Sequence, residues 1–427
     1  MQLNKKKPNL KAILTTASCA LLGSSVSVSA EESWQFDTAI MHYVEADRVS
    51  ATEAIIAGTK TFDNDEVLNL KLTIDALTGA SPNGATAQSM PQTFTRPSGN
   101  GQYTVDSGGT PLDDTFHDTR VQLTGQWTQP ILKDYTVSVG GNFSKEYDYM
   151  SASLNGNIAK DFNNKNTTLS AGMAYAYDVI EPEGGIPKPL SEMVVGDSSD
   201  PGFDDEFNKT RISNDDNKST IDLLFGVTQV INRQMIVQLN YSYSTVSGYL
   251  TDPFKIISSV NNNGESQSYL YESRPDERTK HAFFGQTKYH FDSGILDASY
   301  RYMTDDWQID SHTFDFKYLI PFANGDFIEP HIRFYTQSAA EFYQPFLEEI
   351  DERPNFVSAD YRIGELDTYT VGLKYGMPMG DGNNLSFRLE YYHQTPKSNG
   401  TQAIGVLKEV ELYEKVDAII AQVTYSF

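Results

Sequence analysis

Apolar and polar residues alternate one by one through most of this chain. A β-strand turns successive side chains to opposite faces, so single alternation predicts strands with one greasy face and one wet face. Leu68, Leu70, Leu72, Ile74 and Ala76 alternate with Asn69, Lys71, Thr73 and Asp75. Met235, Val237, Leu239, Tyr241 and Tyr243 alternate with Gln238, Asn240, Ser242 and Ser244, and Leu385, Phe387, Leu389 and Tyr391 with Ser386, Arg388 and Glu390. Sixteen segments read as strands, near 34–44, 48–60, 66–76, 118–128, 134–143, 149–159, 167–179, 219–230, 234–247, 279–290, 295–303, 309–320, 326–335, 364–375, 384–394 and 415–427. Most run about 10 to 13 residues, the length a tilted strand needs to cross a bilayer; soluble strands are nearer roughly 5 or 6. Segment 48–60 alternates poorly, so fourteen strands is the competing count.

The connections alternate between short and long. Short turns lie at 62–65, 129–133, 160–166, 231–233, 291–294, 321–325 and 376–383. Several carry turn residues: Asn324-Gly325, Asp292-Ser293-Gly294 and Gly380-Asp381-Gly382. The long links are 77–117, 180–218, 248–278, 336–363 and 395–414. Membrane barrels place short turns in the periplasm and long loops outside. Counting back from Phe427, every long link falls on the outer side. The predicted fold is therefore all-β: a transmembrane, antiparallel, up-and-down β-barrel of about 16 strands with short periplasmic turns and long extracellular loops.

Both chain ends carry signals. In the last strand Ile419, Ala421, Val423, Tyr425 and Phe427 share one face, while Gln422, Thr424 and Ser426 share the other. This ending on Tyr425 and Phe427 resembles the terminal signal that the outer-membrane barrel-assembly machinery reads. At the amino end, Lys5, Lys6, Lys7 and Lys11 precede a small and apolar run over 12–28, followed by Val28-Ser29-Ala30. That is an export leader with cleavage expected after Ala30. The run is shorter than the roughly 20 residues a spanning helix needs. Cys19 does not make a lipoprotein signal, because Thr16 stands where that signal needs Leu. Residues 1–30 are thus a cleaved signal peptide and 31–427 an outer-membrane barrel. The processed chain has no cysteine, hence no disulfide and no thiolate-bound metal.

Charge narrows the partners. The sequence holds 57 acidic and 33 basic residues; four lysines fall in the leader, leaving 29 basic groups and a net charge of −28. That excess argues against nucleic acid or an anionic surface. No apolar stretch after the leader is long enough for a helical span, a test that barrels escape because half of each strand faces a polar lumen. The 25 tyrosines and 23 phenylalanines against 3 tryptophans suit interfacial girdles and strands alike. The expected partners are outer-membrane lipid and lipopolysaccharide, the assembly machinery and a small solute.

With each polar face turned inward, the fifth to ninth strands contribute small neutral groups such as Ser138, Asn142, Ser153, Asn155, Ser170 and Asn240. The remaining wall carries Lys71, Asp75, Asp118, Arg120, Lys288, Asp297, Arg301, Asp315, Lys317, Glu329, Arg333, Arg388 and Glu390. Such a wall either sets a transverse field across an aqueous pore or forms a salt-bridged lining that helps close it. Arg120, Arg274, Arg278, Arg301, Arg333 and Arg362 map to the outer mouth or the strand ends beside it, level with Asp75, Asp118, Asp252, Asp276, Asp305, Asp306 and Asp360. These thirteen residues are the candidate binding site. Guanidinium forks bind carboxylate or phosphate, so this mouth either captures an anionic solute or ties its own loops together.

Other chemistry is weakly signalled. The acidic run in 180–218 offers oxygen ligands for Ca²⁺, but without metal-loop spacing it reads as a solvated loop. No phosphate cradle, dinucleotide fingerprint or Gly-x-Ser-x-Gly elbow occurs, so neither a cofactor nor enzymatic activity is expected. His117 beside Asp118 is the one pair to test for hydrolysis. Strands begin a few residues past Glu31, which leaves no plug domain for energy-coupled uptake.

Six stretches carry a resemblance: Asp75-Ala76-Leu77-Thr78-Gly79-Ala80-Ser81-Pro82-Asn83-Gly84-Ala85, Gly248-Tyr249-Leu250-Thr251-Asp252-Pro253, Arg274-Pro275-Asp276-Glu277-Arg278, Asp305-Asp306-Trp307, Gln337-Ser338-Ala339-Ala340-Glu341-Phe342-Tyr343 and Ser358-Ala359-Asp360-Tyr361-Arg362. Together they resemble a Gram-negative family catalogued as domain of unknown function 3570. The resemblance implies an outer-membrane barrel and supplies no mechanism. The expected function is a pore or transporter for a small hydrophilic solute, with an anionic one as the candidate that the arginines favour. The alternative is a plugged barrel acting as receptor, scaffold or membrane component of an export or assembly complex.

Overall fold

Sixteen antiparallel strands form a closed ring, each bonded to its neighbours in sequence and the last to the first. The computed structural model describes residues 34–46, 48–349, 352–380 and 382–427. The expected leader with Ala30, and Asp381 of one predicted turn, lie outside the described residues. The strands are β1 (Trp34–Glu45), β2 (Val49–Thr61), β3 (Val67–Pro82), β4 (Leu112–Leu132), β5 (Tyr135–Lys145), β6 (Tyr149–Phe162), β7 (Thr167–Ile180) and β8 (Asp216–Val230). They continue as β9 (Met235–Gly248), β10 (Glu277–Phe291), β11 (Gly294–Asp305), β12 (Asp310–Pro321), β13 (Phe327–Gln337), β14 (Leu366–Gly380), β15 (Asn383–Pro396) and β16 (Val416–Ser426). All sixteen predicted strands are present, so the competing count of fourteen falls.

The weakly patterned β2 forms because its neighbours fix it. Ile56 stands between Thr38 of β1 and Leu72 of β3, and apolar Ile55 and Ala57 face the lumen. Closure at the seam is what an environment without water demands, since an open edge leaves unpaired N–H and C=O groups. The seam runs from Asp37↔Ser426 to Glu45↔Ala418. Phe36 and Phe427 exchange both backbone hydrogen bonds, at 2.7 and 2.8 Å. The Phe427 ring stacks between Phe36 and Tyr425, with centroids 5.6 and 5.3 Å away.

The alternation resolves as predicted. Leu70, Leu72, Ile74, Leu123, Val139, Leu154, Phe225, Leu239, Phe316, Val371 and Leu389 are all exposed on the outside of the ring. A belt of that kind is stable only against an apolar medium. The short turns gather at one end. In the Asn324-Gly325 turn, the Gly325 N–H donates to the Phe322 carbonyl at 3.1 Å, with Gly325 at φ +95°. That left-handed conformation suits glycine.

The long loops gather at the other end and hold the protein's apolar cores. The buried apolar clusters among the described residues are built mainly from these loops, with Trp307 and Ile309 of the short β11–β12 connection joining one of them. Ile256–Val260 and Ser266–Tyr271 make a hairpin to which Leu347–Glu348 adds in parallel. Gln92–Thr95 pairs with Gln102–Val105, and a short helix, Phe203–Lys209, buries Phe203 and Phe207. The loops therefore fold together into a cap.

Candidate functional site

The cap crosses the mouth. Loop 249–276 leaves β9 and returns to β10, yet the Ile256 N–H donates to the Asn83 carbonyl at 2.8 Å, just past the end of β3. On another side the Val406 N–H donates to the Asn263 carbonyl at 2.8 Å, from the loop joining β15 and β16. In a ring of sixteen, β3 lies six strands from β9, so this loop spans nearly the whole opening. It also bonds the remaining long loops, through Leu190 to Tyr271 at 3.1 Å and Val357 to Ser273 at 2.8 Å. Gly84 allows the closest approach: at φ +97° it lies so near the Ile256 carbonyl that a Cβ would come within 2.3 Å of that oxygen.

Apolar packing makes the cap solid. Phe94, Ile257, Val260, Val357 and Leu407 are fully buried, and each such side chain contributes about 1.5–3 kcal/mol relative to exposure. Trp307, Ala340, Phe342, Tyr343 and Ile363 form one core. The six stretches that carry the family resemblance thus form the cap and its base, which explains polar and aromatic signatures where strand packing needs none.

Beneath these cores lies a buried ion network. The Glu272 and Asp360 side chains are wholly shielded, and Arg274 sits between them, with Nε 2.6 Å from Glu272 and Nη2 2.8 Å from Asp360. Arg362 donates to Asp360 through Nε at 2.8 Å and to Asp252 through Nη2. The Asp252 N–H and the Ser358 hydroxyl both donate to Glu272. Lys255 donates to Ser81 and to the Pro82 carbonyl across the mouth. Burial alone would raise the Asp360 carboxyl, but Arg362, Arg274 and Lys255 hold it well below the usual range. Burial pushes Glu272 up despite Arg274, and pushes the Lys255 ammonium down despite Asp252.

Several of the remaining mouth residues pair locally. Arg120 Nε and Nη2 lie 2.9 and 2.8 Å from Asp75, its cross-strand partner. Arg278 Nε donates to buried Asp305 at 2.8 Å, and its guanidinium lies over the Trp307 ring. The other Asp305 oxygen accepts from the Ile309 N–H at 2.9 Å, and Asp306 accepts from the Thr279 N–H at 2.9 Å. The Asp276 side chain is exposed and bonds to no described residue. Most of the candidate mouth residues therefore tie the cap to itself and to the wall.

Asp118 joins a different group. With Glu146 and Asp148 it forms an acidic cluster whose carboxylate atoms lie within 4.8 Å of one another. Burial and the Asp118 carboxylate push Glu146 up to about 7. His117, exposed, occupies the opposite face of β4 from Asp118, so the two do not form a catalytic pair. The acidic run of loop 180–218 is anchored rather than free: Asp204, Asp205 and Glu206 ride on the short helix whose Phe207 lies under the Arg211 guanidinium.

Inside the ring the two walls differ as expected. One is neutral: Gln122 and Thr124 donate to Asn142 at 2.7 and 2.9 Å, and the Thr128 and Ser138 hydroxyls lie 2.8 Å apart. The other is charged. Asp315 meets Arg333 Nε at 2.7 Å, His331 Nε2 at 3.0 Å and Lys317 at 3.7 Å. Glu390 meets His331 Nδ1 at 2.8 Å and Arg388 at 3.9 Å. Lys288 lies 3.1 Å from Asp297. Directly under the cap the charged wall lines a cavity of about 580 Å³ with Arg301, Arg333 and Arg362 on its surface. Sequence reasoning missed His331, Lys255 and Glu272. His331 shares the inward parity of Glu329 and Arg333, which would have found it; the loop residues carry no period to follow.

Several solved barrels resemble the fold. A bacterial polysaccharide outer-membrane secretin aligns over 93% of this chain and 100% of its own, at 8% identity and a TM-score of 0.44. A mutant monoaromatic hydrocarbon channel aligns over 95% and 93%, at 12% identity and a TM-score of 0.41. A mutant ferric enterobactin receptor from Pseudomonas aeruginosa aligns over 93% of this chain at 8% identity and a TM-score of 0.44, and the chain spans 60% of that receptor's length. No curated protein matches the sequence. The family model described as protein of unknown function (DUF3570) matches residues 11–427, and the chain belongs to that family.

Proposed function

We propose that the protein resides in the outer membrane as a gated conduit for a small hydrophilic solute, with the cap in its closed position here. A closed ring with an apolar exterior and a polar interior suits a membrane barrel. The observation that carries the gated reading is loop 249–276, which crosses the mouth and bonds to Asn83 on one side and Val406 on another. A standing pore has no use for such a span, and a polar lumen with a charged wall has little use beneath a permanent seal.

Planar-bilayer recording tests this on the purified barrel and on Arg274→Ala, which unties the buried network. The intact protein should be silent or open only in rare bursts, and the variant should conduct far more often. Steady porin-like current from the intact protein would sink the gate. Silence from both would favour the second reading, a barrel whose folded cap serves as a receptor or scaffold; the apolar cores of the cap are the observation that favours it.

A further inference from the structure

The cavity beneath the cap has an unbalanced set of charges. Its two carboxylates are committed: Asp315 to Arg333, His331 and Lys317, and Glu390 to His331 and Arg388. Both nitrogens of His331 face carboxylates, at 2.8 and 3.0 Å, so the ring is spent on Glu390 and Asp315. The cations are not all committed. Arg301 is exposed into the cavity and forms no hydrogen bond or ion pair with any described residue. Arg333 uses Nε on Asp315, and its side chain remains 49% exposed.

These two arginines are placed to act together. Arg301 stands opposite Thr313, which stands opposite Tyr335, and Arg333 follows two residues before Tyr335 on the same inner face. Two strand spacings sideways and one pleat repeat along the strand separate their Cα atoms by roughly 12 Å. Side chains of this length can then meet on one ligand between them. Free guanidinium forks bind planar oxyanions bidentately. A cationic recess inside a strongly acidic protein also concentrates anions where the rest of the surface repels them.

We propose that Arg301 and Arg333 form an oxyanion site in the lumen beneath the cap, for a small hydrophilic carboxylate or phosphate monoester. A volume of about 580 Å³ accommodates a molecule of monosaccharide size with its water. Thr313 and Tyr335 line the same cavity, the Tyr335 hydroxyl donating to Gln337 and keeping its oxygen to accept from a polyol portion of the solute. The inference rests on the lumen being the solute's compartment, as the gated conduit requires.

Calorimetric titration of the full detergent-solubilised barrel, at low salt in a phosphate-free buffer, tests the site with gluconate, glucose 6-phosphate and uncharged glucose. Binding of either anion without binding of glucose is expected, and the preferred anion identifies the oxyanion. Arg301→Ala should weaken that binding about tenfold or more. Because Arg301 holds no partner, its loss should leave the heat-modifiable gel mobility of the folded barrel unchanged. Arg333→Ala should act in the same direction. Equal affinity in Arg301→Ala and the unaltered protein, equal binding of glucose, or no anion binding at all would overturn the site. The reading needs no current, so it separates the two ideas. A barrel that binds the anion yet never conducts sinks the conduit and leaves the site. One that conducts without binding any anion sinks the site alone.

Discussion

Glu390 accepts from His331 Nδ1 at 2.8 Å although a whole strand, β14, runs between them. The register explains it: His331 stands opposite Gly372, and Gly372 stands opposite Glu390. The missing side chain of Gly372 is the gap through which the carboxylate passes. A Cβ there would lie 2.4 Å from Glu390 Cγ and 3.1 Å from its Cβ. Gly372→Ala should therefore displace Glu390 and lower stability by about 1–3 kcal/mol. Urea unfolding followed by gel mobility in lipid or detergent reads the loss; an unchanged midpoint would show that Glu390 relaxes freely.

The buried network beneath the cap offers a second prediction. Arg274→Ala leaves Glu272 and Asp360 without the cation between them, a loss of about 3–5 kcal/mol for a buried pair stripped of one partner. The damage should stay in the cap, since none of these groups belongs to a barrel strand. Limited proteolysis should cut within 249–276 and 338–365 while the folded barrel survives. Arg274→Lys should fall between the two, because it keeps the charge and loses the fork. A protease-resistant cap in Arg274→Ala would remove the network from its holding role.

The acidic cluster on the rim gives a pH dependence of definite sign. Glu146 is pushed up to about 7 by burial and by Asp118, from an ordinary value near 4.5. A raised carboxyl is protonated in both folded and unfolded chains below about 4.5, so its stability contribution is complete there and is lost as pH rises through about 7. Glu146→Gln keeps the neutral form at every pH. Its thermal midpoint should match the unaltered protein at pH 4 and exceed it increasingly towards pH 7.5. A constant difference across that range would contradict the shift.

Phe427 closes the seam with two backbone bonds to Phe36 and two ring contacts. Phe427→Ser keeps the backbone pairing and forfeits the stacking, worth about 0.5–1.5 kcal/mol for an aromatic pair. If Phe427 also serves as the assembly signal, the yield of heat-modifiable barrel in the outer-membrane fraction should fall far more than this contact explains. A yield that tracks the small stability change would leave the residue a purely local role.

The barrel was legible in the sequence because alternation with period two is imposed by a boundary on each face: Leu68 to Ala76 meets an apolar medium and Asn69 to Asp75 meets water. The poorly alternating β2 became a strand through its neighbours, a tertiary effect that no local pattern contains. At the mouth, the residue types and their level were readable and their partners were not. Asp252 and Arg362 lie 110 residues apart, and nothing local joins them. The cap itself was hidden because Phe94, Ile257 and Leu407 sit in loops without periodicity and become a core only when several loops converge. His331 and Glu390 were both inward by parity, yet their bond depends on what Gly372 lacks.

A hoop is easily squashed into an oval unless a strut braces it. Loop 249–276, fastened to Asn83 at Ile256 and to Val406 at Asn263, is such a strut, fitted at one rim only. Breathing of the wall should accordingly be stiff at the braced rim and slack at the opposite one. Amide exchange along β3 and β9 should then quicken steadily from the loop end to the turn end.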